Sequence, residues 1–231
     1  MIDLHTHALP AMDDGAPDLA AGVAMLSALE AAGVTDVVLT PHHGPLRGFV
    51  YDASRASQAL HELEDSAKEA GLTLTLHAGS EIDASRDILT RIHAATPLKK
   101  TRHVLIDFGM EGADIEECVY ECGLGGYTVV IAHAERYHSV SLERLSALRA
   151  QGAYVQVNAK HLIKSGSPVS CKRARKMLKH GLIDVVASDS HDTLGAGHMR
   201  KARAYVVKKY GQKRADALFY DNPAKVLNLE R

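Results

Sequence analysis

Seven short apolar, β-rich runs, at 2–4, 36–40, 72–77, 103–108, 127–132, 153–157 and 183–187, alternate along the chain with segments of helical periodicity. Leu19, Val23, Leu26 and Leu29 recur at helical spacing, with Pro17 suited to the first turn. Leu60, Leu63 and Ala67 repeat the pattern before Gly71, Leu142, Leu145 and Leu148 before Gly152, and Met177 and Leu178 before Gly181. Unbroken apolar runs are what strands buried on both faces look like. Strands that alternate with helices must be joined by crossovers, which yields a mostly parallel sheet. The predicted class is therefore α/β, with the sheet either open or closed as a barrel. At 231 residues with no low-complexity linker, the chain reads as a single domain over 1–231.

Composition narrows the functional classes. A net charge of −1 supplies no basic field for nucleic acid. No apolar run approaches the roughly 20 residues that a membrane span needs, so no membrane insertion is expected. The N-terminus has neither a basic nor an apolar leader-like segment. Cys118, Cys122 and Cys171 are odd in number, which speaks against a disulfide framework and for a reducing cytoplasm.

Chemistry gathers where the strands end. The first run leads into His5-Thr6-His7, and residues two apart on a strand face the same way. Asp13 and Asp14 follow in the next loop. The second run ends in Thr40-Pro41-His42-His43 and the third in Gly79-Ser80-Glu81. The fourth contains Asp107, and the fifth ends in His133-Ala134-Glu135-Arg136. The sixth carries Gln156-Val157-Asn158, and the seventh leads into Ser188-Asp189-Ser190-His191. In a parallel α/β barrel the C-terminal strand ends converge on one mouth.

Taken singly, each residue has an ordinary explanation. Asp13 or Asp14 could cap the helix near Pro17, Glu81 could complement a helix dipole, and Asp107 could pair with Arg102 or Arg136. Taken together, these explanations would have to place metal-ligand residues at the same rim by coincidence. His61, His77, His93, His103, His161 and His180 lie on helices or inside strands and read as surface or satisfied core residues. Imidazole and carboxylate donors without a thiolate suit zinc, manganese or iron. Five histidines and four carboxylates exceed what one ion can use and are enough for three. Three divalent ions against four carboxylates leave a charge of +2, which suits a phosphate dianion.

With these residues in place, the chain resembles the polymerase and histidinol phosphatase (PHP) superfamily. The resemblance rests on H-x-H, Asp13-Asp14-Gly15, Thr40-Pro41-His42-His43, Gly79-Ser80-Glu81-Ile82, Ala132-His133-Ala134-Glu135-Arg136-Tyr137 and Ser188-Asp189-Ser190-His191. More narrowly, the chain is similar to the bacterial manganese-dependent protein-tyrosine phosphatases of capsule and exopolysaccharide synthesis, through to Asp221-Asn222-Pro223. The resemblance implies a distorted seven-stranded (β/α)7 barrel with a trinuclear centre, most commonly of manganese. One ion would take His5, His7, Glu81 and Asp189, a second Glu81, Asp107 and His133, and a third Asp14, His42 and His191. Glu81 and Asp189 would act in catalysis through the ions, and Arg136 would grip phosphate. The nucleophile would be a metal-held hydroxide attacking phosphorus, in keeping with the absence of a C-x5-R phosphatase loop.

Two positions depart from the family pattern. Asp107 stands where relatives usually carry glutamate, and the loop from Asp192 to Gly197 lacks the arginine that often precedes the His-Met pair, here His198-Met199. Arg47, in the loop after His43, is a candidate replacement. The implied activity is hydrolysis of phosphotyrosine on a protein, with a bacterial tyrosine autokinase of polysaccharide export as partner. The alternatives are a small-molecule phosphatase, such as one acting on histidinol phosphate, and a non-catalytic metal-dependent phosphotyrosine binder.

Overall fold

The computed structural model describes residues 1–44, 48–84, 87–110, 112 and 114–229, so Arg47 lies outside the described residues. Among the described residues nine strands are formed: β1 Ile2–Thr6, β2 Asp36–Leu39, β3 His42–His43, β4 Thr75–Ala78, β5 Glu81–Asp83, β6 His103–Asp107, β7 Thr128–Ile131, β8 Tyr154–Asn158 and β9 Val185–Ala187. All ladders between them are parallel, in the orders β1-β2-β4 and β3-β5-β6-β7-β8-β9. The fold is thus mixed α/β with parallel sheets, as the alternation predicts.

The strand count exceeds the seven predicted runs for a local reason. Two short strands, β3 and β5, form just beyond the C-terminal ends of the runs 36–40 and 72–77, where no strand was expected. Pro41 has no N–H to give to a ladder, so pairing stops after Leu39 and resumes at His42. Gly79 and Ser80 separate β4 from β5 in the neighbouring run, and Glu81 N–H donates to the Pro41 carbonyl at 3.0 Å. Each interruption moves the chain from one sheet to the other. At the opposite margins Thr6 bridges Ser190 in parallel, and Asp189 N–H donates to the His5 carbonyl at 2.9 Å.

Burial follows the period of two. On β6, Val104 and Ile106 join the larger core cluster with helix residues such as Ile115 and Cys122, whereas Leu105 joins a smaller one. The same split separates Val37 and Leu39 from Val38, Val129 and Ile131 from Val130, and Val186 from Val185. Ile2, Leu4, Leu98, Ala132 and the C-terminal residues Ala224, Val226 and Leu227 complete the smaller cluster. Asp107 shares the strand face of Leu105. The strands therefore bury apolar side chains on both faces, and most of the candidate site residues stand at or beyond their C-terminal ends.

Helices cover the larger cluster. Asp18, rather than Asp13 or Asp14, caps the helix Leu19–Ala31 by accepting from Ala21 N–H, which places Pro17 just outside it. Among the described residues no helix is long and apolar enough to cross a membrane.

Candidate metal centre

Register builds the centre. His42 on β3 is the ladder partner of Glu81 on β5, so their side chains emerge side by side and His42 Nδ1 lies 2.8 Å from Glu81 Oε2. The closure between β1 and the 188–190 segment brings Asp189 alongside His5 and His7. Four donor atoms then enclose a small space. His5 Nε2 is 3.1 Å from His7 Nε2 and 3.3 Å from Glu81 Oε2, which is 3.5 Å from His7 Nε2. Asp189 Oδ1 is 3.5 Å from both imidazoles. The edge of a tetrahedron with bonds of about 2.0–2.2 Å is roughly 3.3–3.6 Å, so this spacing matches donors around one cation.

The remaining candidates fall into two adjoining groups. Glu81 turns its other oxygen, Oε1, to His133 Nε2 at 2.8 Å, and Asp107 Oδ2 lies 3.8 Å from the same nitrogen. Asp14 Oδ1 is 3.4 Å from His42 Nε2 and 3.3 Å from His191 Nε2, while the His191 ring stacks on His7 with centroids 4.0 Å apart. The clusters His5–His7–Glu81, Glu81–Asp107–His133 and His7–Asp14–His42–His191 each offer ligand atoms within 4.8 Å of one another. All nine residues singled out as ligands from the sequence thus converge. Glu81 lies between groups, with one oxygen facing each side. Asp14 and His191 are the open edge, their side chains 49% and 31% exposed.

Hydrogen bonds on the far side of the imidazoles fix which nitrogen points inward. His7 Nδ1–H donates to Asp13 Oδ2 at 2.6 Å, and His191 Nδ1–H to the Asp189 carbonyl at 3.2 Å. Each directs Nε2 at the cluster, the nitrogen whose proton a metal would displace. Asp13 also accepts from Gly15 N–H and His42 N–H, tying the loop of Asp14 to His7 and His42. A Cβ on Gly15 would fall 2.0 Å from the His7 carbonyl oxygen, so only glycine permits that approach. Gln156 Oε1 accepts from His133 N–H at 2.6 Å, and Tyr137 OH donates to Asp107 Oδ1 at 3.2 Å.

Several signals fit a cation. Neither ring nitrogen of His42, nor Glu81 Oε2, has a hydrogen-bond partner of acceptable geometry, although all are buried. An unsatisfied buried polar group costs about 1–3 kcal/mol, so three in one spot call for a shared partner. His133 and Asp189 sit at φ 30° and 48°, backbone conformations that non-glycine residues adopt at a cost and that concentrate at functional sites. Charge points the same way. Burial works against ionisation of Glu81, yet the facing His5 charge, the His133 hydrogen bond and the nearby His42 hold it well below the usual carboxylate range. Asp189 is likewise held well below that range against burial, chiefly by the His5 charge and by hydrogen bonding to His7. Burial would depress His7, but Asp13, Asp189 and Glu81 raise it to about 10. His5 is raised against burial by the charges of Glu81 and Asp189. Imidazole protons thus balance buried carboxylates, and a divalent cation would replace them.

The chain matches the family described as "Capsular polysaccharide synthesis, CpsB/CapC" over residues 1–228. It belongs to that family. Among CpsB/CapC relatives, the tyrosine-protein phosphatase CpsB of Streptococcus pneumoniae is 32% identical over 98% of each chain. The tyrosine-protein phosphatase YwqE of Bacillus subtilis (strain 168) is 30% identical over 90% of this chain and 84% of its own. A solved structure described as one of YwqE and CpsB, "unique metal-dependent tyrosine phosphatases", superposes with a TM-score of 0.87 at 27% identity, covering 100% of this chain and 96% of the other. Membership in CpsB/CapC and this likeness agree with the clustered histidines and carboxylates as a metal centre.

Sequence reasoning passes over three residues in the surroundings. Asp13 carries only a capping role there, whereas His161, expected to be a surface or satisfied core residue, is buried and donates to Glu135. Lys160 was assigned nothing, although its Nζ stands 3.7 Å from Asp189 Oδ2. Asn158, noted only for its place after a strand, donates from Nδ2 to the same oxygen at 2.5 Å. The signal for Asn158 and Lys160 is their position at and just beyond the end of β8.

Proposed function

We propose that this chain is a metal-dependent protein-tyrosine phosphatase, acting as one domain on phosphotyrosine of a bacterial tyrosine autokinase of polysaccharide export in the cytoplasm. The observation that carries the reading is Glu81, a buried carboxylate whose two oxygens face different clusters of imidazole and carboxylate donors. Three ions, manganese in preference to iron or zinc, would be held by His5, His7, Glu81 and Asp189; by Glu81, Asp107 and His133; and by Asp14, His42 and His191. Divalent ions there would acidify water and neutralise phosphoryl charge. The accompanying fold reading is a distorted seven-stranded barrel, in which β2 with β3 and β4 with β5 each count as one interrupted strand.

The chain's own residues orient the substrate. Arg136, in the 3-10 turn Ala134–Arg136 after β7, projects toward Asp189 with its side chain 28% exposed. Its planar fork suits two oxygens of a phosphoryl group. Phe49 stacks on the His42 ring, with centroids 5.8 Å apart and planes 15° from parallel. Exposed Val50, Met110 and Leu194 lie on the segments following β3, β6 and β9. An aromatic phosphate would meet an aromatic neighbour and an apolar rim, which favours phosphotyrosine over a polar small molecule.

Hydrolysis of a phosphotyrosine peptide and of histidinol phosphate, each with added manganese and after chelation, tests this reading. The peptide should be the better substrate by kcat/KM, and chelation should abolish both activities. Preference for histidinol phosphate would reassign the substrate. Binding of the peptide without turnover would make the protein a phosphotyrosine binder.

A further inference from the structure

Two cations stand beside one oxygen at the edge of the centre. Lys160 Nζ is 3.7 Å and Arg136 Nη1 3.9 Å from Asp189 Oδ2. Charge-assisted hydrogen bonds close to about 2.7–2.9 Å, so both groups stop roughly 1 Å short. That oxygen is already engaged by Asn158 Nδ2. Among the described residues, neither cationic side chain donates a hydrogen bond to the protein. Arg149 shows the contrast: it grips Asp184 through two nitrogens at 2.6 and 2.7 Å and donates to the Gly181 carbonyl as well.

The placement of Lys160 is built. Its short helix, Ala159–Leu162, starts directly after β8. On either side of it, Asn158 N–H and His161 Nδ1–H both donate to Glu135 Oε1, at 3.0 and 2.5 Å. Glu135 is fully buried and precedes Arg136 in the same 3-10 turn. One carboxylate oxygen therefore fixes the segment carrying Lys160 against the turn carrying Arg136. The two cationic side chains are 34% and 28% exposed.

The other Asp189 oxygen faces His5 and His7. A cation bound there would draw on the charge of this carboxylate and leave Lys160 and Arg136 in excess. An anion placed over the centre would meet donors from both. We propose that Lys160 is a second phosphate-binding cation, gripping with Arg136 the peripheral oxygens of the substrate's phosphoryl group. This rests on the phosphatase reading above, and its ligand is a phosphate monoester dianion or free inorganic phosphate. Lysine contributes here as a point charge beside the arginine fork.

The test compares manganese-loaded wild type, Lys160→Ala and Lys160→Arg. Three quantities are measured: bound metal, the rise in Tm with added inorganic phosphate, and kcat and KM on a phosphotyrosine peptide. Lys160→Ala should keep its full metal content, bind phosphate about 10- to 100-fold more weakly and lose a similar factor in kcat/KM, the worth of one charged hydrogen bond. Lys160→Arg should recover most of both. Unchanged phosphate affinity in Lys160→Ala would overturn the proposal. So would a loss of affinity that follows a loss of metal, because Lys160 would then only be neutralising Asp189. A wild-type protein that binds phosphate through Lys160 but hydrolyses neither peptide nor p-nitrophenyl phosphate would sink the phosphatase reading and leave the anion site standing.

Discussion

Removing the metal ions should reverse the pH dependence of stability. In the metal-free protein His7 is raised from 6.5 to about 10 by Asp13, Asp189 and Glu81 against the opposing effect of burial. A raised folded-state pKa adds stability that is fully present below the unfolded value and is lost as pH rises toward the folded one. The window is therefore pH 6.5 to 10. With those two values, the His7 contribution falls by about 2–3 kcal/mol between pH 7 and pH 9. For a chain of this size that is roughly 5–10 °C in Tm. Glu81 and Asp189 act on the other flank: their depressed values give stability that is present above the ordinary carboxylate range and lost as pH falls. Metal-free protein should thus be most stable in mildly acidic solution.

Metal-loaded protein should behave oppositely over the alkaline window. Ligation needs His5 and His7 deprotonated, so protons compete with the ions and rising pH favours binding. Melting curves between pH 6 and 9.5, on chelated and manganese-loaded samples in matched buffers, read both slopes. A flat or rising Tm for the chelated protein from pH 7 to 9 would refute the charge balance argued for His7. A parallel fall in both samples would refute the claim that metal and proton occupy the same imidazole nitrogens.

Other perturbations probe the supports of the centre. Asp13→Asn keeps an acceptor near His7 but removes its charge, so metal affinity should drop about 10- to 100-fold in chelator competition, and the alkaline loss of stability in the metal-free protein should shrink. Gly15→Ala places a methyl group against the His7 carbonyl, and should cost about 1–3 kcal/mol in denaturant melts while lowering metal stoichiometry through displacement of Asp14; full occupancy at wild-type stability would count against that loop as a clamp. Serine at Cys118, Cys122 and Cys171 in turn should leave kcat/KM on a phosphotyrosine peptide within about twofold. All three thiols are buried, donation of its hydrogen bond to Cys122 and burial push the Cys118 thiol far up, and burial raises Cys171. A phosphoenzyme trapped on any of them would contradict direct transfer to water.

Much of this architecture is legible in the chain because parallel strands buried on both faces leave simple marks. Apolar runs locate the strands, and the polar residues that end them locate the mouth. The interrupted strands are less legible. The run at 72–77 becomes β4 at Thr75–Ala78, with Glu81 opening a strand of its own after the Gly79-Ser80 break. No local pattern announces that Glu81 becomes the ladder partner of His42, because that follows from how the neighbouring run breaks at Pro41. The positive φ values of His133 and Asp189 leave no compositional trace either, since glycine is what such positions ordinarily select.

The residues hardest to read are those that act through another side chain. Asp13, Gln156 and Tyr137 each bond to a candidate ligand and Glu135 to the segment that carries Lys160, in most cases across more than twenty residues of sequence. Their pairing is set by tertiary packing rather than by spacing. Glu135 is the clearest instance. In the sequence it is one acidic residue between a histidine and an arginine. In the fold its Oε1 holds both Asn158 N–H and His161 Nδ1, and thereby sets Lys160 beside Arg136. A carboxylate that lies between two functional neighbours can serve as the brace for both while touching neither ion nor substrate. The distinction is measurable. Loss of a brace should alter the phosphate affinity that depends on Lys160 before it alters metal content, whereas loss of a ligand should do the reverse.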